Sequence, residues 1–355
     1  MKAKRQRKDG AQPARLAPFC LCGAQTALTH LEALVAEITP VRQGQDPESL
    51  HRMRVAARRL RSILPLYTVC ISRQTCARWR KQLRRLLKAL GATRDVDVQM
   101  ASVTPLRALG ADEGEQAGLE RVLVRLRQQH QALRPALTQA LQRFEESDVS
   151  TEMQQLLTRL VDANLPYKDT PPGRAIYRKT RKAILLRLDK LQHYAPYVQQ
   201  PDCLQELHAM RIAAKRLRYT LQAFAPFYPG ALSEAVQTTR TLQDLLGDIH
   251  DCDVWAAQLP TFFEDERART EAYFGDVTFF SFLAPGILAL QNNRAQFRTQ
   301  RYQDFLAFWQ QSQEQGVWER LRQVLDAPFQ PAETEQGSAA DSVTPPALST
   351  GAHPA

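Results

Sequence analysis

The sequence lacks most of the features that mark enzymes and membrane proteins. It has no phosphate-cradling glycine-rich loop, no His-Glu-x-x-His zinc signature and no Ser/His/Asp or Cys/His grouping, so a catalytic reading has no visible nucleophile or metal site. No apolar run approaches the roughly 20 residues needed to cross a bilayer, which points away from a membrane partner. The basic start MKAKRQRKDG is followed by Pro13, Pro18, Gly23 and Gln25 rather than by the apolar core of a signal peptide. Val and Ile runs with period-two alternation are scarce, which argues against sheet architecture. Six cysteines (Cys20, Cys22, Cys70, Cys76, Cys203 and Cys252) are scattered through a chain too large to need staples. Their distribution reads as reduced thiols in a cytosolic protein.

What is present is helical and basic. Leu, Ala, Gln, Arg and Glu dominate, and 47 Lys+Arg against 37 Asp+Glu leave a net charge of +10. That surplus suggests an anionic partner: nucleic acid, acidic lipid or polyphosphate. A first helix is expected over about Cys22–Ile38. A second starts at Asp46-Pro47-Glu48, where cap, first-turn proline and first-turn acid agree. It runs to about Cys70, with Pro65 ending it early or kinking it. A third covers about Gln74–Leu90, with Gly91 as C-cap candidate. After the Pro/Gly-rich stretch Asn164–Gly173 the order recurs: a helix at about Arg174–Tyr194, a start signal at Pro201-Asp202, a helix to Phe224, and another ending at Gly247. Residues 1–14 read as a disordered basic arm. Residues 328–355, without Lys or Arg and almost without large apolar side chains, read as a disordered tail.

The recurrence is a true repeat. Residues 48–67, ESLHRMRVAARRLRSILPLY, match residues 205–224, QELHAMRIAAKRLRYTLQAF, at a shift of 157. A second landmark, Leu90-Gly91 with Asp95, Asp97 and Val98, matches Leu246-Gly247 with Asp251, Asp253 and Val254 at a shift of 156. Two landmarks in one order indicate a duplicated unit, about 15–165 and 166–327.

At 100° per residue, with His51 at zero, Arg54, Arg58 and Arg61 fall near about 300°, 340° and 280°. Met53, Ala57, Leu60 and Leu64 form a separate apolar stripe. One edge of the helix packs; the neighbouring edge presents a column of cations. His208, Arg211, Lys215 and Arg218 repeat that column, with Arg59 and Arg216 beside it. Stacked like charges repel on a free helix, and no acid after Glu48 interleaves them. The charge must be met by carboxylates from elsewhere, by solvent, as is usual for a charge run, or by a bound anion, for which the arginine fork is suited.

Other basic helices adjoin. Residues 42–94 hold 14 Lys+Arg and two acids. Within them Arg80, Arg84 and Lys88 align, with Lys81 and Arg85 beside them. In the second half Arg174, Arg178 and Arg181 share a face, with Lys182 at its edge. The counterparts of these clusters, near residues 236–244 and 17–25, are depleted of basic residues, so a full site is expected to draw on both halves.

The pattern His-x-x-Arg-Val/Ile-x-x-Arg/Lys-Arg-Leu-Arg, followed by Leu-Gly-x-x-x-Asp-x-Asp-Val and repeated once, resembles the CHAD family, the conserved histidine α-helical domain. The resemblance covers about residues 15–325. It implies an all-α fold of two four-helix-bundle-like halves related by a pseudo-two-fold. It also implies a basic surface binding inorganic polyphosphate, carried by His51, Arg54, Arg58, Arg59, Arg61, His208, Arg211, Lys215, Arg216 and Arg218. In bacteria it implies association with polyphosphate granules, here in the cytoplasm. Some relatives add a triphosphate-hydrolysing barrel, whose alternating acidic and basic strands are missing here. No cofactor and no catalysis are expected.

Three other readings compete. Metal chelation or phosphate acceptance by His51 and His208 meets two obstacles: neighbouring arginines disfavour a cation, and no acid stands three or four residues on from either histidine. Nucleic-acid binding is permitted by charge, but aromatics are not interleaved with the basic columns as stacking requires. The Asp95/Asp97 and Asp251/Asp253 pairs could bind metal. They are more simply helix-start caps and partners for basic residues.

Overall fold

The computed structural model describes residues 14–44, 46–109 and 112–327. The expected tail, and the expected arm apart from Ala14, lie outside the described residues. The elements are α1 (Ala17–Ala36), α2 (Ile38–Gln43), α3 (Pro47–Ile63), α4 (Arg73–Leu109), α5 (Glu113–Glu145), α6 (Val149–Asn164), α7 (Arg174–Gln192), α8 (Leu204–Phe224), α9 (Ser233–Phe274), α10 (Thr278–Glu314) and α11 (Val317–Asp326), with no strand among the described residues.

Local chemistry accounts for the two histidine helices, α3 and α8. The Asp46 side chain accepts from the Glu48 backbone N–H at 2.9 Å, capping α3 as its sequence suggests. Pro65 stops α3, and the chain tightens into a 3-10 turn over Leu64–Tyr67. At the second start, Cys203 rather than Asp202 occupies the capping position and makes no side-chain cap. Met53, Ala57 and Leu60 of α3, and Met210, Ala214 and Leu217 of α8, are fully buried. The apolar stripe therefore packs, and the basic column is left at the margin of the core.

The main core crosses the sequence boundary between the repeats. Phe19 and Tyr67 pack on Phe224 and Phe227, and the Tyr67 hydroxyl donates to the Ala223 carbonyl at 3.0 Å. A second, smaller core joins the C-terminal half of α4, the N-terminal half of α5, and the facing parts of α9 and α10, through Val103, Leu123, Trp255 and Ile287. There α5 and α10 touch backbone to backbone. A β-carbon on Gly118 would stand 2.2 Å from the Leu283 carbonyl oxygen, and one on Gly286 would stand 2.2 Å from that of Glu115.

Several expectations are corrected. Gly91 and Gly247 end no helix: α4 continues to Leu109 and α9 to Phe274. Tertiary packing outweighs the ~1 kcal/mol that glycine costs inside a helix. The Asp pairs after these glycines are therefore mid-helix and cap nothing. Cys20 and Cys70 are not free thiols; they form a disulfide across a Cα–Cα distance of 5.6 Å, tying α1 to the end of the turn after α3. Leu16–Phe19 and Leu64–Tyr67 must pack together around the same aromatic cluster, which brings the two sulfurs into range. The argument from thiols to a reducing compartment loses two of its six cysteines. Finally, one segment, Ala17–Gln43, is long and apolar enough by composition to span a bilayer. Its Phe19, Leu31 and Leu34 are sealed in the protein core.

Candidate functional site

The two sequence landmarks of each repeat meet in space. Arg54 of α3 crosses α4 at Gly91, where a β-carbon would lie 4.0 Å from the arginine Nε. Its guanidinium continues to Asp95, 3.4 Å away. In the second half Arg211 crosses α9 at Gly247, with the corresponding distance 3.6 Å, and Asp251 lies within electrostatic reach. The glycine is the gap that lets the arginine through; the aspartate one turn later is the partner at its tip.

Histidine surroundings differ between the halves. The Arg94 position on α4 corresponds to His250 on α9 at the shift of 156. Burial, then the charge of Arg94, pushes His51 below the usual imidazole range. His208 instead meets His250, Nδ1 to Nδ1, at 3.1 Å. Burial, then His250, pushes it down as well. Burial and then Arg211 do the same to His250. These shifts favour neutral rings near neutral pH. A cavity of about 470 Å³ opens beside this end, lined by Arg54, Arg211, Asp95, Asp251, His250 and Trp255 among others. Among the described residues no group of three or more His, Cys, Asp or Glu side chains is placed to hold a metal ion.

Because α3 packs against α8, their two columns face one another. Lys215 lies within electrostatic reach of Arg58, Arg211, Arg54 and Arg61. Burial, then these charges with Arg58 foremost, brings its ammonium down to about 7. Burial likewise lowers Arg54, Arg61 and Arg218, with neighbouring arginines adding to the effect. Arg61 is flanked by Arg80, Arg84 and Arg216, and Arg216 by Arg187 of α7.

The contrast with arginines elsewhere is sharp. Arg52 is held by Glu37 and Asp46 at 2.5 and 2.7 Å, Arg107 by Glu120 at 2.6 Å, and Arg298 by Asp253 at 2.5 Å. Among the described residues, Arg58, Arg61, Arg80, Arg84, Arg187, Arg211, Lys215, Arg216 and Arg218 form no ion pair. The Nε atoms of Arg58, Arg59, Arg80 and Arg218 are buried without a hydrogen-bond partner, an arrangement that costs about 1–3 kcal/mol per group.

The arrangement is lopsided. On one flank Arg61, Arg80, Arg84, Arg187 and Arg216 gather, and none of them is ion-paired with a carboxylate among the described residues. On the other, Arg59 meets His30, which burial and then Arg59 push down to about 4, and Arg218 faces Tyr219 and Asp244. The Arg218 and Arg58 guanidinium groups lie 5.4 and 5.8 Å from the Tyr219 ring centre. His30 and Arg187 are equivalent positions at the shift of 157.

Not every residue anticipated from sequence joins this cluster. Arg84, itself exposed, does, through its reach to Arg61. Lys81 and Lys88 are exposed beside it on α4, and Arg85 turns toward Gln82 and the neighbouring α5 residues Ala140 and Phe144. On α7, Arg181 is engaged by Asp326 of α11 at 2.6 Å. Arg174, Arg178 and Lys182 are exposed and stand about 140–180° around the helix from Arg187. The residues overlooked were Arg187, Arg94 and His250. Extending the shift of 157 one helix upstream, onto His30, would have exposed Arg187. Of the two roles foreseen for the aspartates, the partnering one holds: Asp97 meets His130 at 3.2 Å and Arg94 at 3.9 Å.

Comparison with known proteins decides the family. The model of the CHAD domain matches residues 25–260. The chain belongs to the CHAD family. A crystal structure of the CHAD domain from the plant Ricinus communis is similar in fold, with TM-score 0.56 and 24% identity, over 93% of this chain and 97% of that one. No curated protein matches the chain in sequence.

Proposed function

We propose that this CHAD domain binds inorganic polyphosphate without transforming it. The observation that carries the reading is the set of unpaired cations on facing α3 and α8, continued by Arg80, Arg84 and Arg187. A fold does not keep buried guanidinium groups unsatisfied at no cost; an anion with many oxygens would satisfy them together. A linear polyanion suits rows of arginines on four helices better than a single phosphate does. Association with polyphosphate granules in the cytoplasm follows from this reading and from what the family resemblance implies. Nucleic acid is the weaker candidate, because Tyr219, the ring against the Arg58 and Arg218 guanidinium groups, is buried and offers no stacking face to a base.

The test is a titration with long-chain polyphosphate, DNA and orthophosphate at several salt concentrations. Polyphosphate should bind in preference to DNA, with affinity falling steeply as salt rises, by the counterion-release logic known from nucleic acids. Combined substitution of Arg58, Arg61, Arg211 and Lys215 by alanine should abolish binding while the helical signal persists. Unchanged affinity in that variant would refute the reading.

A further inference from the structure

The end of the molecule built by the smaller core carries more apolar surface than that core uses. Phe280 and Ile287 of α10 are buried there. Around them Tyr273, Phe274, Val277, Phe279 and Phe282 stay exposed, at the turn from α9 into α10. The turn is tied at both sides. Gly275 closes α9 in the left-handed region, its N–H donating to the Glu271 carbonyl at 2.8 Å, and Asp276 accepts from the Thr278 N–H at 2.7 Å. The rings pack on one another, Phe274 on Tyr273 and Phe279 with centres 4.8 and 4.4 Å apart. An exposed apolar patch of this kind marks a ligand groove or an interface.

A cavity of about 480 Å³ joins Phe274, Phe279 and Phe282 to Arg121 and Arg125 of α5 and Arg269 of α9, a volume ordinary for a small-molecule site. All three arginines converge on one carboxylate. Glu266 is fully buried and accepts from Arg125 at 2.6 and 3.0 Å, from Arg121 at 3.2 Å, and from Arg269. Burial pushes its carboxyl up, but the bonds from Arg125 and Arg269 outweigh burial and hold it below the usual range. Three guanidinium charges against one carboxylate leave two, and Asp265, 3.9 Å from Arg269, meets part of that surplus. Arg121 reaches Glu266 through Nη1 alone, which leaves the rest of its fork to a ligand.

We infer that this cavity binds a small amphiphilic anion: a carboxylate or phosphate monoester head held by Arg121, Arg125 and Arg269, with an apolar tail against Phe274, Phe279 and Phe282. Each half of that description rests on its own observation. The converging surplus charge calls for an oxyanion, which guanidinium forks hold well, and the exposed rings call for an apolar body. An extended polyanion answers only the first. An anionic membrane surface is opposed by the acids at this end. Glu271 and Asp276 flank Tyr273 and Phe274 in the chain, and the Asp112 carboxylate and the Phe282 carbonyl meet at Gly114, each 3.3 Å from where a β-carbon would stand. Arg269 and the three rings lie beyond residue 260, where the family match ends, so the family pattern does not dictate them.

The inference is independent of the polyphosphate reading, and its test uses no polyphosphate. The full chain is titrated calorimetrically with octanoate below its micellar concentration, and with octanol, acetate and inorganic phosphate. Phe279→Ser, which changes an exposed ring, and Arg121→Gln are titrated beside it, with thermal melting to confirm that each folds. Octanoate should bind the wild type at one site. Octanol lacks the charged head, and acetate and phosphate lack the tail. Each should bind at least about tenfold more weakly, the scale of one charge-assisted hydrogen bond. Both variants should weaken octanoate by a similar factor. No octanoate binding to the wild type, equal binding of octanol, or unchanged affinity in either folded variant overturns the inference. Sedimentation and vesicle binding test the other occupants of the patch. A wild-type dimer that Phe279→Ser converts to a monomer makes it an interface between copies. Capture by phosphatidylglycerol vesicles that Phe279→Ser abolishes, without binding of free octanoate, makes it a membrane surface. Either result overturns the small-ligand assignment.

Discussion

Arg54 crosses α4 directly over Gly91, with its Nε 4.0 Å from where a β-carbon would stand. That distance is ordinary van der Waals contact, so the crossing tolerates a methyl group and excludes anything larger. Gly91→Ala is expected to raise stability by about 0.5–1 kcal/mol through helix propensity and to leave polyphosphate binding intact. Gly91→Leu should displace Arg54 and weaken binding. Denaturant titration and a binding isotherm on the two variants check both.

The other glycine pair should behave in the opposite way. At Gly118 and Gly286 an added β-carbon meets a carbonyl oxygen at 2.2 Å, and backbone cannot rotate aside. Alanine at either site is expected to destabilise by about 1–3 kcal/mol or more, read as a lower urea midpoint. A neutral effect would show that α5 and α10 do not touch as described.

Arg187 and Arg178 lie on one helix, about 180° apart. If the unpaired cluster is the binding site, Arg187→Ala should weaken polyphosphate binding severalfold and reduce its salt dependence, whereas Arg178→Ala should do neither. Arg80→Ala should resemble Arg187→Ala. Equal losses at 178 and 187 would indicate a diffuse basic surface in place of a defined groove.

Lys215 sets a pH dependence whose sign can be worked out. In the free protein its ammonium is held at about 7, and a bound phosphate raises that value. Below pH 7 the ammonium exists both free and bound, so affinity is full. Above pH 7 binding must recruit a proton, and affinity declines as pH rises, by up to about tenfold per unit. The unliganded fold shows the reverse trend. Its Lys215 value lies below the ordinary 10.5, so the unfolded chain holds more protons between these values and stability from this group rises with pH. Lys215→Met should flatten both slopes. Calorimetric titration and thermal melts from pH 6 to 9 measure them.

The Cys20–Cys70 bond closes a loop with a sequence separation of 50. Chain entropy alone puts its contribution at about 4 kcal/mol. Replacing both cysteines by serine should lower the melting temperature by several degrees, and reductant should do the same to the wild type but not to the double variant.

The sequence made some of this legible and hid the rest for physical reasons. The histidine column was readable because α3 and α8 are amphipathic, and a 100° step separates Met53 and Leu60 from Arg54 and Arg58. The cap at Asp46 and the stop at Pro65 were readable because they act within a few residues. Gly91 misled, since propensity marks glycine as a terminator while its use here is to admit a side chain from another helix. Arg187 was hidden among the many basic residues of α7, and its neighbours Arg216 and Arg80, brought by tertiary packing, set it apart from Arg178. The disulfide depends on α1 and the turn after α3 arriving at one aromatic cluster, which no local pattern records.

The contact of Gly118 with Gly286 has a consequence beyond stability. Two backbones pressed together possess no alternative rotamers, so α5 and α10 are clamped against each other, and through them α4 and α9, which pack on them and carry Asp95 and Asp251. If polyphosphate binds as proposed, it should meet arginines already held at fixed spacing. Association should then run at the speed of electrostatic steering, without a slow closing phase, and crystals grown with and without ligand should superimpose along α4, α5, α9 and α10.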